Sequence, residues 1–188
     1  MPAAAAKNCE VRIIGGAWRS RRIRFADRPG LRPTPDRVRE TLFNWLGQDL
    51  TGRDCLDLYA GSGALGFEAA SRGARRVVMV ERDAAAARAL QSNRDQLAAA
   101  AVEVVRADAL EFLQHHCENY DVVFLDPPFA DDCWPLLLQL LPQCLKPGAR
   151  VYCERAEALE AVPGWDIVKS GRAGQVSHQL LKRAEHEQ

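Results

Sequence analysis

Apolar and polar positions alternate along this chain in two rhythms. Cys55–Tyr59, Arg76–Val80, Val102–Ala107, Tyr120–Leu125 and Ala149–Glu154 are short, largely apolar runs. Runs of that length and composition read as strands buried on both faces. Helical stretches lie between them. One opens at Gly61-Ser62-Gly63-Ala64-Leu65-Gly66 and runs to Arg72, with Gly73 as its C-cap. The Ala-rich second one is capped by Asp83 and runs to about Ala99. The third, Leu136–Leu145, contains Pro142, which should kink or end it. Strand and helix in alternation predict an α/β fold with a parallel sheet.

The flanks read differently. Val11–Ile14 and Ala17–Phe25 form an expected hairpin with Gly15-Gly16 as the turn. Thr34 is placed as a helix N-cap with Pro35 in the first turn, and Val38, Leu42, Trp45 and Leu46 then make one apolar stripe through Leu50. Lys146-Pro147-Gly148 reads as a turn. Trp165–Lys169 and Val176–Leu181 read as a closing antiparallel hairpin about a turn at Ser170–Gly174. The Ala-rich segment Met1–Asn8 carries no pattern and is expected to be disordered. The expected organisation is a disordered terminus over 1–10, a hairpin-and-helix extension over 11–53 and a main domain over 54–188.

Composition changes this picture in two places. Total charge is balanced, 25 basic against 25 acidic residues. From Arg12 to Arg39, however, there are nine Arg and two Asp, whereas Asp54 to Val162 holds ten basic and seventeen acidic residues. A basic end on an acidic body suggests a docking surface for an anion. The six Cys form no C-x-x-C and do not alternate with His at zinc spacing, so no metal is expected and a reduced, cytoplasmic protein is. No apolar run approaches membrane-spanning length.

The candidate chemistry collects where strands end. The G-x-G-x-x-G turn follows a strand and opens a helix, and Glu81 lies about twenty residues on, at the end of the next strand. That context fits a nucleoside cofactor whose ribose hydroxyls are held by the acid. Asp57, Glu81, Asp108 and Asp126 each stand at or near the C-terminal end of a strand. In a parallel sheet those ends share one edge. Four acids would repel a dinucleotide but suit S-adenosylmethionine, which is cationic and rich in hydroxyl and amino donors. Asp108 has a plainer reading as the cap of the following helix. At Asp126-Pro127-Pro128-Phe129 the chain must leave the sheet, because neither proline has an N–H. The Asp126 carboxylate and the Pro127 carbonyl can each accept from an amino group, and Phe129 offers a face for a planar ring. Such a loop suits a planar amine whose lone pair must be turned toward an electrophile.

In the basic end, Arg19, Arg21, Arg22 and Arg24 crowd one expected strand beside Trp18, and Arg37 and Arg39 lie off the apolar stripe of the next helix. Arg forks bind phosphates and Trp can stack on a base, so RNA binding is expected there. Alternate strand residues face alike, which places Arg22 and Arg24 together and Arg19 and Arg21 opposite. A nicotinamide oxidoreductase would use the glycine turn but leave the Asp-Pro-Pro-Phe loop idle. A non-catalytic RNA-binding module would leave the cofactor pocket idle.

The chain resembles the bacterial 16S rRNA (guanine-N2)-methyltransferases. The resemblance rests on Arg12-Ile13-Ile14-Gly15-Gly16, Arg32-Pro33-Thr34, the block from Asp36 to Leu46, Ala60 to Gly66, Asp126 to Phe129 and Gly174-Gln175-Val176. The glycine turn and Asp-Pro-Pro-Phe are shared by many amino methyltransferases, including those of DNA adenine and protein glutamine; the N-terminal blocks are the specific ones. The resemblance implies a Rossmann-like class I S-adenosylmethionine-dependent sheet of seven strands, the last antiparallel. It implies that Asp57, Tyr59, Gly61, Gly63, Glu81 and Asp108 line the cofactor and that Asp126, Pro127 and Phe129 hold the guanine. The implied substrate is 16S rRNA in the assembled or assembling small subunit, and a monomer is expected.

Overall fold

The computed structural model describes residues 8–116, 118–128 and 133–184. Its centre is a seven-stranded sheet. The strands are β3 (Asp54–Asp57), β4 (Arg76–Val80), β5 (Val102–Val105), β6 (Tyr120–Leu125), β7 (Leu145–Arg155), β8 (Trp165–Ala173) and β9 (Val176–Arg183), in the order β5-β4-β3-β6-β7-β9-β8. β3 to β7 are mutually parallel, and β9 enters antiparallel to both neighbours. The order reverses between β3, which neighbours β4, and β6. That reversal opens a crevice at the C-terminal edge, the place where open α/β sheets bind ligands.

Helices α2 (Ala64–Ser71), α3 (Ala84–Leu97), α4 (Ala109–His115) and α5 (Trp134–Leu140) connect the parallel strands. Two apolar layers result. One holds Leu42, Phe43, Phe67, Val77, Met79, Leu90, Phe124 and Tyr152; the other holds Leu56, Val78, Leu113, Val123, Leu125, Leu137 and Val151. Along β6, Val122 and Phe124 face the first layer while Val123 and Leu125 face the second. This is the two-residue alternation of a strand buried on both sides.

The N-terminal extension is part of the first layer. Strands β1 (Asn8–Arg12) and β2 (Arg22–Ala26) pair antiparallel, and helix α1 (Asp36–Leu46) follows. Val11, Ile13, Ile23, Phe25, Val38, Leu42 and Phe43 pack into the same core as Phe67 and Val77.

Four local expectations are corrected. Gly15-Gly16 is not a hairpin turn: residues 13–21 make a longer connection with a 3-10 turn at Gly16–Trp18. Gly16 is needed for close approach instead, since a Cβ there would lie 1.9 Å from the Ser71 carbonyl oxygen. Arg19 and Arg21 are therefore off the strand. Thr34 does not cap α1. Pro35 occupies the cap position, and the Thr34 hydroxyl donates to Glu154 at 2.8 Å. Lys146-Pro147-Gly148 lies inside β7, which pairs with β6 on both sides of it (Tyr120↔Leu145, then Val122↔Arg150). The turn residues thus make a bulge, and Lys146 Nζ uses it to reach Asp54 and Asp121, each at 2.7 Å. Finally, Cys9, Cys55, Cys133 and Cys153 are free, but Cys144 is disulfide-bonded, so the expectation of a fully reduced chain fails there.

Candidate functional site

The site is built at the C-terminal edge of β3, β4, β6 and β7. After β3 the chain turns through Gly61 (φ +51°) and Gly63 (φ +83°), both in the left-handed region that favours glycine. Gly63 is the N-cap of α2. A Cβ at Gly63 would come within 2.7 Å of Leu90 and Phe67, and one at Gly66 within 2.5 Å of Met79. Two of the three motif glycines thus allow helix α2 to seat on the sheet. Gly61 is covered by Leu31, whose Cδ1 would lie 2.8 Å from an added Cβ.

Acidic side chains hold this turn. Asp57 is buried and accepts from the Gly66 N–H at 3.0 Å. Glu81 accepts from the Gly61 N–H at 3.0 Å and from the Asp83 N–H at 2.8 Å. One bond falls on each Glu81 oxygen, and each oxygen keeps a lone pair for a hydroxyl donor. Asp108 caps α4, accepting from the N–H groups of Leu110 and Glu111 at 2.9 and 3.3 Å. The plainer reading of Asp108, as the cap of the following helix, is therefore realised. Tyr59 is half-buried, its hydroxyl 3.6 Å from Cys133 Sγ.

Asp126 follows β6 directly, with buried Pro127 after it and exposed Pro128 beyond. Phe129 lies outside the described residues. Leu125 pairs with Cys153, so the next positions, Asp126 and Glu154, stand side by side on neighbouring strands. Glu154 is 7% exposed and its Oε1 accepts from Thr34 Oγ1 at 2.8 Å and from the Tyr152 hydroxyl at 2.9 Å. A fifth strand-end acid thus joins the four visible in the sequence. The signal was present, because Glu154 also ends an apolar run, but nothing local distinguished it from a solvated strand terminus.

These acids depart from ordinary carboxylates. Burial pushes Asp57 up to about 7, with the Glu81 charge adding to the shift and the Gly66 N–H opposing it. Burial also raises Asp126 well above the usual range, assisted by Glu154 and Asp57. Glu154 is raised by burial against the bonds from Thr34 and Tyr152. Among the described residues no Arg or Lys pairs with Asp57, Asp126 or Glu154. Buried carboxylates without a cation are unfavourable. The donor set therefore fits a cationic, hydroxyl-bearing cofactor of the S-adenosylmethionine kind.

The expected RNA-binding arginines divide. Arg39 is corrected outright: it is 1% exposed, donates to the carbonyls of Thr34 and Arg12, and pairs with Asp36 at 2.5 Å and Glu68 at 3.3 Å. Glu68 is itself fully buried and also takes the N–H groups of Ile14 and Gly15 and the Arg72 guanidinium. Arg39 thus fastens the extension to α2. Arg22 and Arg24 face alike, as strand alternation requires, but both pair with Glu10, at 3.0 and 3.1 Å. Arg21 donates to the Gln96 carbonyl at 2.9 Å. Arg19 and Arg37 are exposed with no carboxylate partner among the described residues. Trp18 is half-buried against the core.

Comparison with known proteins places this geometry. Residues 11–182 match the family described as Conserved hypothetical protein 95. The chain is 42% identical over 179 residues to the ribosomal RNA small subunit methyltransferase D of Escherichia coli K12, covering 93% of this chain and 90% of that one. It is 42% identical over 181 residues to the Haemophilus influenzae protein of the same name, covering 92% and 94%. A solved Escherichia coli methyltransferase superposes with a TM-score of 0.83 at 40% identity, over 93% of this chain and 98% of that one. A Thermus thermophilus 16S rRNA N2-guanine methyltransferase, solved with AdoMet and guanosine, shares the fold at a TM-score of 0.73 and 23% identity, over 98% of this chain and 52% of that one.

Proposed function

Because the chain belongs to the ribosomal RNA small subunit methyltransferase D family, we propose that its strand-end site methylates the exocyclic N2 of one guanine in 16S rRNA. The chain is an S-adenosylmethionine-dependent rRNA methyltransferase; the choice of atom and the residue roles are our reading. The observation that carries it is the placement of Asp126 and the Pro127 carbonyl on the sheet edge that also bears the glycine turn, Asp57 and Glu81.

The cofactor supplies an electrophilic methyl group on a sulfonium. Glu81 would hold the ribose hydroxyls, and Asp57, Tyr59, Gly61, Gly63 and Asp108 would line the same pocket. The guanine leaves its stack to reach the edge. Asp126 and the Pro127 carbonyl would accept the two N2 hydrogens and turn the lone pair toward the methyl carbon, while Phe129 would stack on the ring; the S–C bond breaks as the N–C bond forms, and N2 then sheds one hydrogen as a proton to solvent. Orientation supplies most of the acceleration, since no group on the base needs prior activation.

One flipped base cannot identify itself among the many guanines of an rRNA, so docking must select it. Exposed Arg19 and Arg37, together with Arg21, Arg22 and Arg24, are the side chains we assign to phosphate contact. The substrate in this reading is the assembled or assembling small subunit, met by a monomer. Small subunits from cells lacking the gene, incubated with the protein and methyl-labelled cofactor, should yield labelled N2-methylguanosine on nucleoside mass spectrometry. Label on another nucleoside would reassign the Asp126 loop.

A further inference from the structure

Asp57, Asp126 and Glu154 stand on the neighbouring strands β3, β6 and β7. Strand alternation continues Phe124 into Asp126 and Tyr152 into Glu154, so both acids face the layer that holds Phe124 and Tyr152. Asp57, which holds α2, faces it as well. Among the described residues, few groups pack around Asp126 and Glu154. From β7 comes the Tyr152 hydroxyl; from the segment before α1 comes the Thr34 hydroxyl. From β9 comes His178, the register partner of Glu154. His178 is 5% exposed and stacked on Trp45, and its Nδ1 has no hydrogen-bond partner among the described residues. From β3 comes Asp57. The arginines of this layer, Arg39 and Arg72, are committed to Glu68 and Asp36. Glu154 is buried and Asp126 half-buried beside it, and two adjacent carboxyls so placed resist ionising together without a cation.

We propose that Glu154 is a further member of this site: it shares one proton with Asp126 while the pocket lacks a cation, and the sulfonium displaces that proton. The inference rests on the methyltransferase reading above. Both Glu154 hydrogen bonds are donated to Oε1, and donors stabilise the ionised form. The shared proton therefore resides on Asp126 and the charge on Glu154. A carboxylate accepts the one N2 hydrogen assigned to it more strongly than a carboxylic acid does. Ionising Asp126 when the cationic cofactor arrives makes the strong guanine acceptor only when a methyl group is present. The product cofactor is a neutral thioether, so it does not supply that charge, and the proton returns. Glu154 acts through Asp126 and is a positioning residue.

The step transfers one proton from Asp126 to the buffer, and calorimetry reads it directly. Titrations of S-adenosylmethionine and of S-adenosylhomocysteine in buffers of different ionisation enthalpy near pH 7 should differ. The sulfonium should release up to about one proton per site and the thioether markedly less. Glu154→Gln keeps an acceptor for Thr34 and Tyr152 while removing the shared charge, so the release should be lost with cofactor binding retained. Asp57→Asn separates the contribution of that acid and should preserve most of the difference between the two ligands. Equal release with both ligands, or a buffer-independent enthalpy in the wild type, overturns the proposal. Failure of either ligand to bind, checked by thermal shift, would instead overturn the assignment of this sheet edge as the cofactor site. If Glu154→Gln does not fold, Tyr152→Phe, which removes one donor from Glu154, should still reduce the wild-type release.

Discussion

Two buried charge clusters lie in one layer of this molecule and are built on opposite terms. Around Glu68, two guanidiniums and two backbone N–H groups saturate a single carboxylate that has no exposure at all. Around Asp126, three carboxyls (Asp57, Asp126 and Glu154) gather with hydroxyls and N–H groups for company but, among the described residues, no guanidinium or ammonium. The first cluster is complete and joins the N-terminal extension to α2. The second is incomplete by one positive charge, at the sheet edge where ligands bind. Compensation, more than burial, separates a structural acid from one that awaits a ligand.

The comparison can be broken at either cluster. The largest expected effect is on rate. Asp126→Ala should lower methyl transfer roughly 10²-fold or more, the scale for losing the group that positions a reacting atom, while the thermal midpoint does not fall below wild type. Single-turnover transfer and a melting curve check both halves. Normal turnover in a folded variant would remove Asp126 from the site.

At the saturated cluster the effect should fall on stability instead. Arg39→Ala leaves Glu68 short of one partner and should cost about 3–5 kcal/mol, as breaking a buried pair does. Denaturant unfolding reads that loss. A variant as stable as wild type that docks RNA poorly would restore Arg39 to the RNA-binding face.

The third test uses pH. Asp57 has its folded value raised to about 7 from 3.8, so the unfolded chain ionises first. Its contribution is fully present below the unfolded value, declines as pH rises from about 4 toward 7, and is absent above. Asp57→Asn, whose amide oxygen can still accept from Gly66, should therefore be more stable than wild type by about 2–4 kcal/mol at pH 8 and equal to it at pH 4. Asp54 has the opposite sign. Its hydrogen bond to Arg75 and its pair with Lys146 hold it near 2, so its contribution is lost only as pH falls below the ordinary carboxylate range. A gain for Asp57→Asn that is the same at both pH values would mean the residue acts through packing alone.

The smallest effect concerns charges that belong to neither cluster. Arg19→Ala with Arg37→Ala should reduce the salt slope of small-subunit binding by about 1–2 and leave cofactor affinity unchanged. Arg22→Ala with Arg24→Ala should change it less, because Glu10 already neutralises part of their charge. An unchanged slope in both variants would move the docking surface elsewhere.

Much of this was legible in the residues. The five parallel strands are apolar runs whose partners all want the same burial, so pattern alone places them. Glycine at 61 and 63, the acids at 57, 81, 108 and 126, and the prolines at 127 and 128 are constraints of backbone and strand end, and they act within a few residues of themselves. What the residues could not disclose is partnership. Thr34 reads locally as a cap and Arg39 as a surface charge. Their partners lie 120 residues away at Glu154 and 29 residues away at Glu68. Packing chose those partners, because a buried donor must find an acceptor wherever the fold brings one. The same logic made Lys146-Pro147-Gly148 a bulge, since β6 pairs on both sides of it. The sequence determined which positions end strands. Tertiary structure decided which of the acids found there are already matched by a cation and which still lack one, because charge compensation is a property of neighbours in space.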